Sequence, residues 1–522
     1  MMNRNRWLLV GAGIALIGAA GCDNNKLTSL NNNPNSPTDV PAKTVFTNAA
    51  QASAGRWIGN GYDLRGTEWV AQHLAEVQYP DEDDYKRLQG GQTAGIFDGA
   101  YQGELEDLRQ VVKKGQAAND PGTWAPAMIL QVWDFSFLTD TWGDVPYSQA
   151  LSGDSTGGTL TPAYDPQQSI YTGMFAQLDQ ASKALSSASN SLGAADPVYG
   201  GDPAMWQKFA NSLRARLALR VVNVDPALAN TQLTAALAAP GGVFTSNADA
   251  AMIAWPGDGV FNNPWSGNFA TRDDHRMSQT LMGVLFANND PRIPIYAQPT
   301  VNDTTVSAMF PNYAGMPNGL TQATASVYFN NTSRPGLIFY PGATTYGTFG
   351  DGSGKSTPSY YMTYADMAFI EAEAANRGMA GLTPGQAAGF YTAGITSSMQ
   401  QWGVAPGDVV TYLGQPSVAY QGGLAGLNQI DLQRWVALYG DGGQAWAEWR
   451  RTCVPNTVRP GPYAIINTVP RRFEYSITEY SVNATQVAAA VARQGPDVFQ
   501  TSMWWDKATA APTYTSGCGV RQ

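Results

Sequence analysis

The amino-acid sequence predicts a mostly α-helical protein in which a helical scaffold carries a loop-rich portion. Apolar residues recur at helical spacing through most of 41–235 and again after about 360. Between about 240 and 360, runs such as "PWSGNF" and "YPGATTYGTFGDGSG" combine Gly and Pro with aromatic residues and show no such period. Binding groups usually lie on loops that a rigid scaffold positions. The segment 240–360 is therefore the predicted ligand-binding portion.

The helical segments follow one another with short interruptions rich in Gly, Pro and Asp. Val45, Ala49 and Trp57 belong to the first apolar stripe, which begins near residue 41. Further helices are predicted over 95–117, 122–140, 166–187, 203–223, 363–378, 384–401, 425–439 and 483–494. Thr363 and Asp366 have the spacing of a capping box at the start of one of them. Paired helices of this kind suggest an α-hairpin scaffold, although no internal sequence repeat is strong enough to prove one.

The first 21 residues have the pattern of a secretory signal. Arg4 and Arg6 precede an uncharged, mostly apolar stretch over 7–21 that ends in small residues. This stretch is shorter than the roughly 20 apolar residues that a membrane span needs. Residues 1–21 are therefore predicted to be a signal peptide.

The signal ends in "AAG" at 19–21, directly before Cys22, and this sequence resembles a bacterial lipobox. The resemblance implies cleavage before Cys22 and attachment of lipid, palmitate included, to the new N-terminal residue. An ordinary signal peptide with an incidental cysteine is the alternative. Residues 22–40 are rich in Asn, Pro and Ser and are predicted to form a tether between anchor and body.

The charge balance excludes one class of partner and favours another. The chain has a formal net charge of −10, and loss of Arg4 and Arg6 with the signal makes the mature chain more negative. Nucleic-acid binding rests on neutralising phosphates with Lys and Arg, so no nucleic-acid partner is predicted. Charged residues make up only 14% of the chain, whereas Trp numbers 15 and Tyr 24. That composition suits neutral ligands, which stack on aromatic rings without ionic contacts.

Cys453 and Cys518 remain once Cys22 carries lipid. A pair of cysteines in an exported chain is more often a disulfide than a metal site or a nucleophile. A disulfide between them is the prediction, and two separate buried thiols are the alternative.

The residues that catalysis would need are scarce. His73 and His275 are the two histidines of the sequence, no HExxH or CxxC motif occurs, and neither a metal site nor a cofactor is predicted. His275 is expected in a solvated loop, and "DEDD" at 81–84 is expected to be a solvated acidic turn rather than a calcium site. Glu371 and Glu373 lie two positions apart on a predicted helix and point in different directions. No catalytic residue is identified, and the protein is predicted not to be an enzyme.

Several separated segments resemble one protein family. They are "FLTDTWGDVPYSQAL" (137–151), "YDPQQSIYTGMFAQLDQA" (164–181), "WQKFANSLRARLALR" (206–220), "DPRIPIY" (290–296), "YAGMPNGL" (313–320), "YADMAFIEAEAANRG" (364–378), "YTAGITSSMQQWGV" (391–404), "QRWVALYGDGGQAWAEWRRT" (433–452), "PRRFEYSITEYSVN" (470–483) and "WWD" (504–506). Their order and content are similar to those of the SusD/RagB nutrient-binding lipoproteins of the outer membrane. No single segment is decisive, but the ordered set is specific and spans nearly the whole mature chain.

The resemblance implies a domain over 41–522, with a scaffold of tetratricopeptide-like helix pairs at about 41–235 and 360–510 and a loop-rich insert at about 240–360. It also implies a SusC-like TonB-dependent transporter as partner and an outer-membrane location facing the exterior. The turn motif "TWGDVPYSQAL" and the arginines Arg450 and Arg451 of "WRRT" are interpreted as scaffold rather than as ligand site. One departure is Cys453, which stands where the family commonly has glycine.

The ligand site is predicted from aromatic side chains amid Gly, Asn and Thr. The candidates are Trp255, Phe261, Trp265, Tyr313, Tyr328, Tyr340 and Tyr346. Flat rings suit the C–H faces of sugars. Trp265 and Tyr346 are the strongest candidates, because small polar residues surround them and no helical stripe would bury them, and Trp255 and Tyr340 follow. The alternative is that several of these rings fill core between loops. The leading hypothesis is a protein that captures glycans or peptides, with a carboxylate-dependent hydrolase such as a glycosidase, or a structural helical-repeat adaptor, as alternatives.

Overall fold

The structure is a computed structural model that describes residues 39–521. The predicted signal peptide at 1–21, the predicted lipid attachment at Cys22 and nearly all of the predicted tether at 22–40 lie outside the described residues. No helix within the described range is long and apolar enough to cross a membrane.

The N-terminal part of the described chain is a succession of helices, as its apolar periodicity predicts. They are α1 (Ala42–Trp57), α2 (Glu68–Val70), α3 (Gly90–Gln102), α4 (Glu104–Ala117), α5 (Pro121–Trp142), α6 (Gln167–Leu185), α7 (Pro203–Arg220) and α8 (Pro226–Leu237). A π-helical turn, Asn60–Thr67, joins α1 to α2. The prediction of one helix over 95–117 is wrong. Gly103 has φ −107° and ψ −110°, outside the helical region, and it divides the segment into α3 and α4.

These helices pack side by side in a continuous array. Helix α4 packs against α1 and α5, α6 lies between α5 and α7, and α8 packs on α7. Large aromatic side chains fill the joints, and Trp57, Trp133 and Trp206 are fully buried. Burying a Trp removes on the order of 200 Å² from water, so these residues dominate the stability of the array.

The middle of the chain has short elements and long loops. Its helices are α9 (Pro264–Phe269), α10 (Gln279–Ala287), α11 (Ile293–Tyr296) and α12 (Gln322–Ala325). The strands of the described chain are β1 (Leu74–Glu76), β2 (Val145–Pro146), β3 (Tyr164–Asp165), β4 (Ala251–Ile253), β5 (His275–Met277), β6 (Gly342–Thr344), β7 (Gly347–Phe349) and β8 (Ser359–Met362). They form antiparallel pairs, β1–β5, β2–β3, β4–β8 and the hairpin β6–β7.

Helices resume after the last strand. They are α13 (Tyr364–Asn376), α14 (Ala387–Gln401), α15 (Pro406–Leu413), α16 (Gly423–Ala437), α17 (Gly442–Thr452), α18 (Glu479–Val482) and α19 (Ala484–Gln494). Helix α13 packs against α14, α16 and the earlier α7, and so connects the two helical parts of the chain. The prediction of a mostly helical fold is confirmed, since the strands are few and short.

The start of α13 shows how that connection is made. The Thr363 hydroxyl accepts a hydrogen bond from the Asp366 backbone N–H at 3.2 Å, which is the first half of the predicted capping box. The second half is wrong, because the Asp366 carboxylate turns inward. It accepts from the Nε atoms of Arg216 on α7 and Arg434 on α16, each at 2.7 Å. Both arginines together hold the pKa of Asp366 below its ordinary value, at about 2.

Candidate functional site

Trp265 lies in the core and not on an exposed loop. Its segment, "PWSGNF", forms α9 because the Asn263 side chain caps the backbone N–H of Trp265 at 2.9 Å and Pro264 occupies the first helical position. The helix turns the indole inward, where it packs 4.6 Å from Phe339 and is 2% exposed. The expectation that small polar neighbours leave this ring accessible is wrong.

Tyr340 and Trp255 are buried as well. The Tyr340 ring is 1% exposed and stacks on Phe269 with centroids 4.5 Å apart and planes 6° from parallel. Trp255 is 8% exposed, and its indole N–H donates to the Ser359 hydroxyl at 2.9 Å. Neither ring offers a free face in this conformation.

Tyr346 is accessible. It lies in the turn between β6 and β7 and is 50% exposed, and the hairpin is fixed to the body where the Thr345 N–H donates to the Ala270 carbonyl at 2.9 Å. Phe261 is also exposed, whereas Tyr313 and Tyr328 are half-buried. Of the four predicted ligand-binding rings, Tyr346 is therefore the one that can contact a ligand directly.

The buried rings and the hairpin belong to one continuous set of ring contacts, here called the aromatic cluster. Its members are Trp265, Phe269, Phe339, Tyr340, Phe349, Tyr360 and Trp402. Phe349 of β7 packs 5.3 Å from Tyr340 and thereby connects the Tyr346 hairpin to the buried members. At the opposite end Tyr360 and Trp402 are half-buried, with their rings 6.1 Å apart.

A narrow cavity of about 30 Å³ lies within the aromatic cluster, between Trp265, Tyr360 and Trp402. That volume holds about one water molecule and excludes a sugar ring. The accessible part of the cluster is therefore its outer edge, where Tyr360 and Trp402 are half-buried. The Trp402 indole N–H is itself buried and has no hydrogen-bond partner, so the accessible part of this residue is its ring.

The sequence prediction did not include Tyr360, which stands at the end of the loop-rich segment 240–360, or Trp402, which lies outside that segment. Trp402 directly follows the last residue of α14 and precedes Gly403, which has φ +79°. A large aromatic residue between a helix end and a glycine turn is a usable signal, since it lies where the chain leaves the scaffold.

The floor of the cavity carries one acidic side chain. Asp441 lines it, and burial raises the pKa of its carboxyl from 3.8 to about 7. The same carboxylate caps α17 by accepting from the Gln444 N–H at 3.3 Å. Arg216, the other charged residue lining the cavity, is held by Asp366. These two charges have structural partners, so the accessible edge of the cluster is neutral.

His275 and three of the four acidic residues at 81–84 are buried, which corrects both expectations, and Asp81 is exposed. Glu82 is 3% exposed and pairs with Arg65, Arg87 and Arg272. His275 lies in β5, and burial lowers the pKa of its imidazole from 6.5 to about 3. Arg65 and Arg272 come from other segments to pair with Glu82, and local sequence does not reveal such partners.

Among the described residues, two buried groups have the donor set for a metal ion. One is Glu76, Asp274 and His275, and the other is Glu373, Asp431 and Glu448. An arginine reaches into each of them. Arg451 binds both oxygens of Glu373 at 2.6 Å and also pairs with Glu448 and Asp431. Arg272 pairs with Asp274 and Glu76. The guanidinium groups supply the positive charge that a metal would otherwise bring.

Cys453 and Cys518 form a disulfide in the structure, with their Cα atoms 6.1 Å apart. Cys453 is fully buried at the end of α17 and has φ +66°, in the left-handed region. Such a backbone position favours glycine, which has no Cβ to clash there.

One pentapeptide has the spacing of a hydrolase nucleophile elbow, "GDSTG" at 153–157. A working elbow lies between a strand and a helix, but Ser155 is in an exposed series of turns and donates to Asp154 at 3.1 Å. Both histidines are buried and contact acids, Glu68 for His73 and Asp274 for His275. The structure therefore assembles no Ser-His-Asp triad from the described residues.

Comparison with known proteins identifies the class to which this fold and site belong. Residues 34–476 match the family SusD-like_2, described as "Starch-binding associating with outer membrane". The chain belongs to this SusD-like family. No curated protein matches the sequence.

Solved structures agree with this assignment. A chitin-binding protein is 27% identical with a TM-score of 0.72, covering 89% of this chain and 99% of its own. A chitin-binding SusD homolog from Flavobacterium johnsoniae is 26% identical with a TM-score of 0.72, covering 91% and 99%. A SusD homolog from Bacteroides uniformis is 24% identical with a TM-score of 0.73, covering 90% and 100%. The predicted family and its tetratricopeptide-like helical scaffold are both confirmed.

Proposed function

We propose that this protein is a surface-exposed outer-membrane lipoprotein that binds glycans and delivers them to a SusC-like TonB-dependent transporter. The observation that carries the proposal is the aromatic cluster, whose outer edge presents Tyr360 and Trp402. Tyr346 adds a third accessible ring on the hairpin. Phe349 and Tyr340 connect that hairpin to the cluster.

The chemistry of the edge suits a neutral oligosaccharide. Aromatic faces stack on the C–H faces of sugar rings, and the half-buried rings of Tyr360 and Trp402 offer such faces. The buried rings have a supporting role, because they hold the loops that carry the accessible rings. These buried rings are Trp265, Tyr340 and Trp255. The protein acts by binding alone, and its ligand leaves unchanged.

Relatives support a glycan in preference to a peptide. The family description is starch-binding, and two of the similar structures are chitin-binding proteins. We therefore expect neutral glucose or N-acetylglucosamine oligosaccharides to bind at the edge of the aromatic cluster.

Anchoring and delivery complete the proposal. Cys22 carries the lipid, with acyl chains such as palmitate, and residues 22–40 tether the body to the outer membrane. More than one acyl chain is needed for stable anchoring, since a single chain binds only marginally. The helical scaffold faces the SusC-like transporter, and the loop-rich insert faces the ligand.

A direct test combines calorimetry with product analysis. The purified mature protein is titrated with maltooligosaccharides, chitooligosaccharides and a mixture of short peptides, and the recovered ligands are chromatographed. We expect binding to at least one neutral oligosaccharide with no change in its chain length. Binding to peptides alone would overturn the choice of ligand, and shortened products would favour the alternative of a glycosidase.

A further inference from the structure

A second groove lies away from the aromatic cluster, between α3, the loop at 146–162 and α18. Its volume is about 500 Å³, which suits a ligand of one or two sugar rings or an amino-acid side chain. Phe97 and Tyr101 form an aromatic wall, and Leu160 and Val482 lie exposed at its rim. Most of the surface that lines the groove is apolar.

The polar groups of the groove include a set of acceptors without donors. Asp98, Glu479 and Asn483 line it. The Oδ1 atoms of Asp98 and Asn483 are buried and have no hydrogen-bond partner. Glu479 accepts from the Tyr164 hydroxyl at 2.8 Å and more weakly from the Asn483 amide at 3.5 Å, both on Oε2. Buried acceptors left without donors are costly, so a donor from outside would stabilise them.

The orientation of Asn483 is fixed by its surroundings. Its Nδ2 donates to the Pro162 carbonyl at 2.9 Å, and the side chain belongs to a residue that is 4% exposed. Turning the amide over would place Oδ1 against the Pro162 oxygen, acceptor against acceptor. Oδ1 of Asn483 therefore stays an acceptor without a donor.

No cationic side chain compensates the two carboxylates. Within residues 39–521, neither Asp98 nor Glu479 forms an ion pair with Lys or Arg, whereas the buried Glu373 pairs with Arg451. Burial, with a smaller contribution from Asp98, raises the pKa of Glu479. Two neighbouring carboxylates without a cationic partner attract a positively charged ligand.

The lining decides which cation fits. Calcium takes six to eight oxygen ligands, and this carbon-lined groove supplies too few. A primary ammonium has three N–H donors, which matches the acceptors of Asp98, Glu479 and Asn483, and its carbon body suits the walls of Phe97 and Tyr101. We propose that this groove is a second binding site, which takes a primary ammonium group carried on an amino sugar or on a lysine side chain.

Acetylation of the amine gives matched probes for this site. The mature protein carrying Cys22→Ala is titrated with the β-1,4-linked glucosamine dimer and with its N-acetylated form. A parallel series uses Nα-acetyl-lysine amide and its Nε-acetylated form. We expect at least one ammonium probe to bind at least tenfold more tightly than its acetylated form, and the stronger series identifies the source of the ammonium. Equal binding within both series, or saturable binding of calcium at the site instead, would overturn the proposal.

Variants separate loss of binding from loss of folding. Asp98→Asn and Glu479→Gln should each weaken the ammonium probe at least tenfold. Asp98→Asn should not lower the melting temperature, because it removes repulsion between two carboxylates. Asp408→Asn, an exposed substitution on α15 outside the groove, is the matched control and should bind as the parent protein does. Unchanged affinity in Asp98→Asn and Glu479→Gln would contradict the assignment.

Discussion

Cutting the Cys453–Cys518 bridge should lower the free energy of unfolding by about 4 kcal/mol. The bridge joins residues 65 positions apart, and the chain-entropy relation gives about 4 kcal/mol for a closed loop of that length. The tail has other attachments to the body. The Val469 N–H donates to the Gly519 carbonyl and the Arg521 N–H to the Asn467 carbonyl, each at 2.8 Å. Because these contacts persist without the bridge, the loss arises mainly in the unfolded chain.

Cys518→Ser is the informative change, since Cys518 is only partly buried and Cys453 stays in place. Urea denaturation of this variant and of the parent protein, each with and without reductant, measures the difference. Parent protein under reductant should approach the variant, and reductant should leave the variant unchanged. Equal unfolding midpoints for oxidised and reduced parent protein would refute the reasoning.

The left-handed conformation of Cys453 allows a finer comparison. With Cys518→Ser as background, Cys453→Gly should be about 1 kcal/mol more stable than Cys453→Ala, because only glycine adopts φ +66° without steric cost. The same denaturation curves measure it. A less stable glycine variant would show that side-chain packing at this position outweighs the backbone.

Three further changes test the charges and the anchor. Burial raises the pKa of Glu371 from 4.5 to about 7. Because the pKa is raised in the folded state, the protein loses stability as the pH rises toward 7. Glu371→Gln should therefore stabilise the protein by on the order of 2 kcal/mol at pH 8 and have little effect at pH 4. Thermal melts at both pH values measure the difference. Arg451→Met leaves buried acids without their cation and should cost about 3–5 kcal/mol in urea denaturation; adding Glu373→Gln should restore part of it. Cys22→Ala should release the protein into the soluble fraction, and retention in membranes that lack the transporter would count against lipid anchoring.

Local signals in the sequence predict most of the helices. Asp202 caps α7 and Pro203 occupies its first position, so these two residues predict where the helix begins. The break at Gly103 is harder, because glycine is tolerated inside a helix and also ends one. The Asn-Pro pair that starts α9 directly precedes Trp265 in the sequence. It indicates a short helix at this place, and that helix turns the ring inward.

Contacts between residues far apart in the chain are what local sequence patterns do not reveal. Glu82 is buried because Arg65 and Arg272 reach it from other segments, in addition to the nearby Arg87, and no local pattern indicates the two distant partners. Trp402 follows a scaffold helix and reaches the loop-rich portion only in three dimensions. Tyr346, by contrast, lies on a hairpin turn, where local Gly and Thr residues do indicate exposure.

The affinity of Trp402→Ala for a neutral oligosaccharide tests the central claim most directly. Calorimetric titration of the mature protein should show a loss of about 1–3 kcal/mol, as expected for an aromatic anchor at a binding site. Trp504→Ala, which removes another half-buried tryptophan outside the aromatic cluster, is the matched control and should bind as the parent protein does. Circular dichroism melts should show both variants folded. Unchanged affinity in folded Trp402→Ala, for an oligosaccharide that the parent protein binds, would contradict ligand binding at the aromatic cluster.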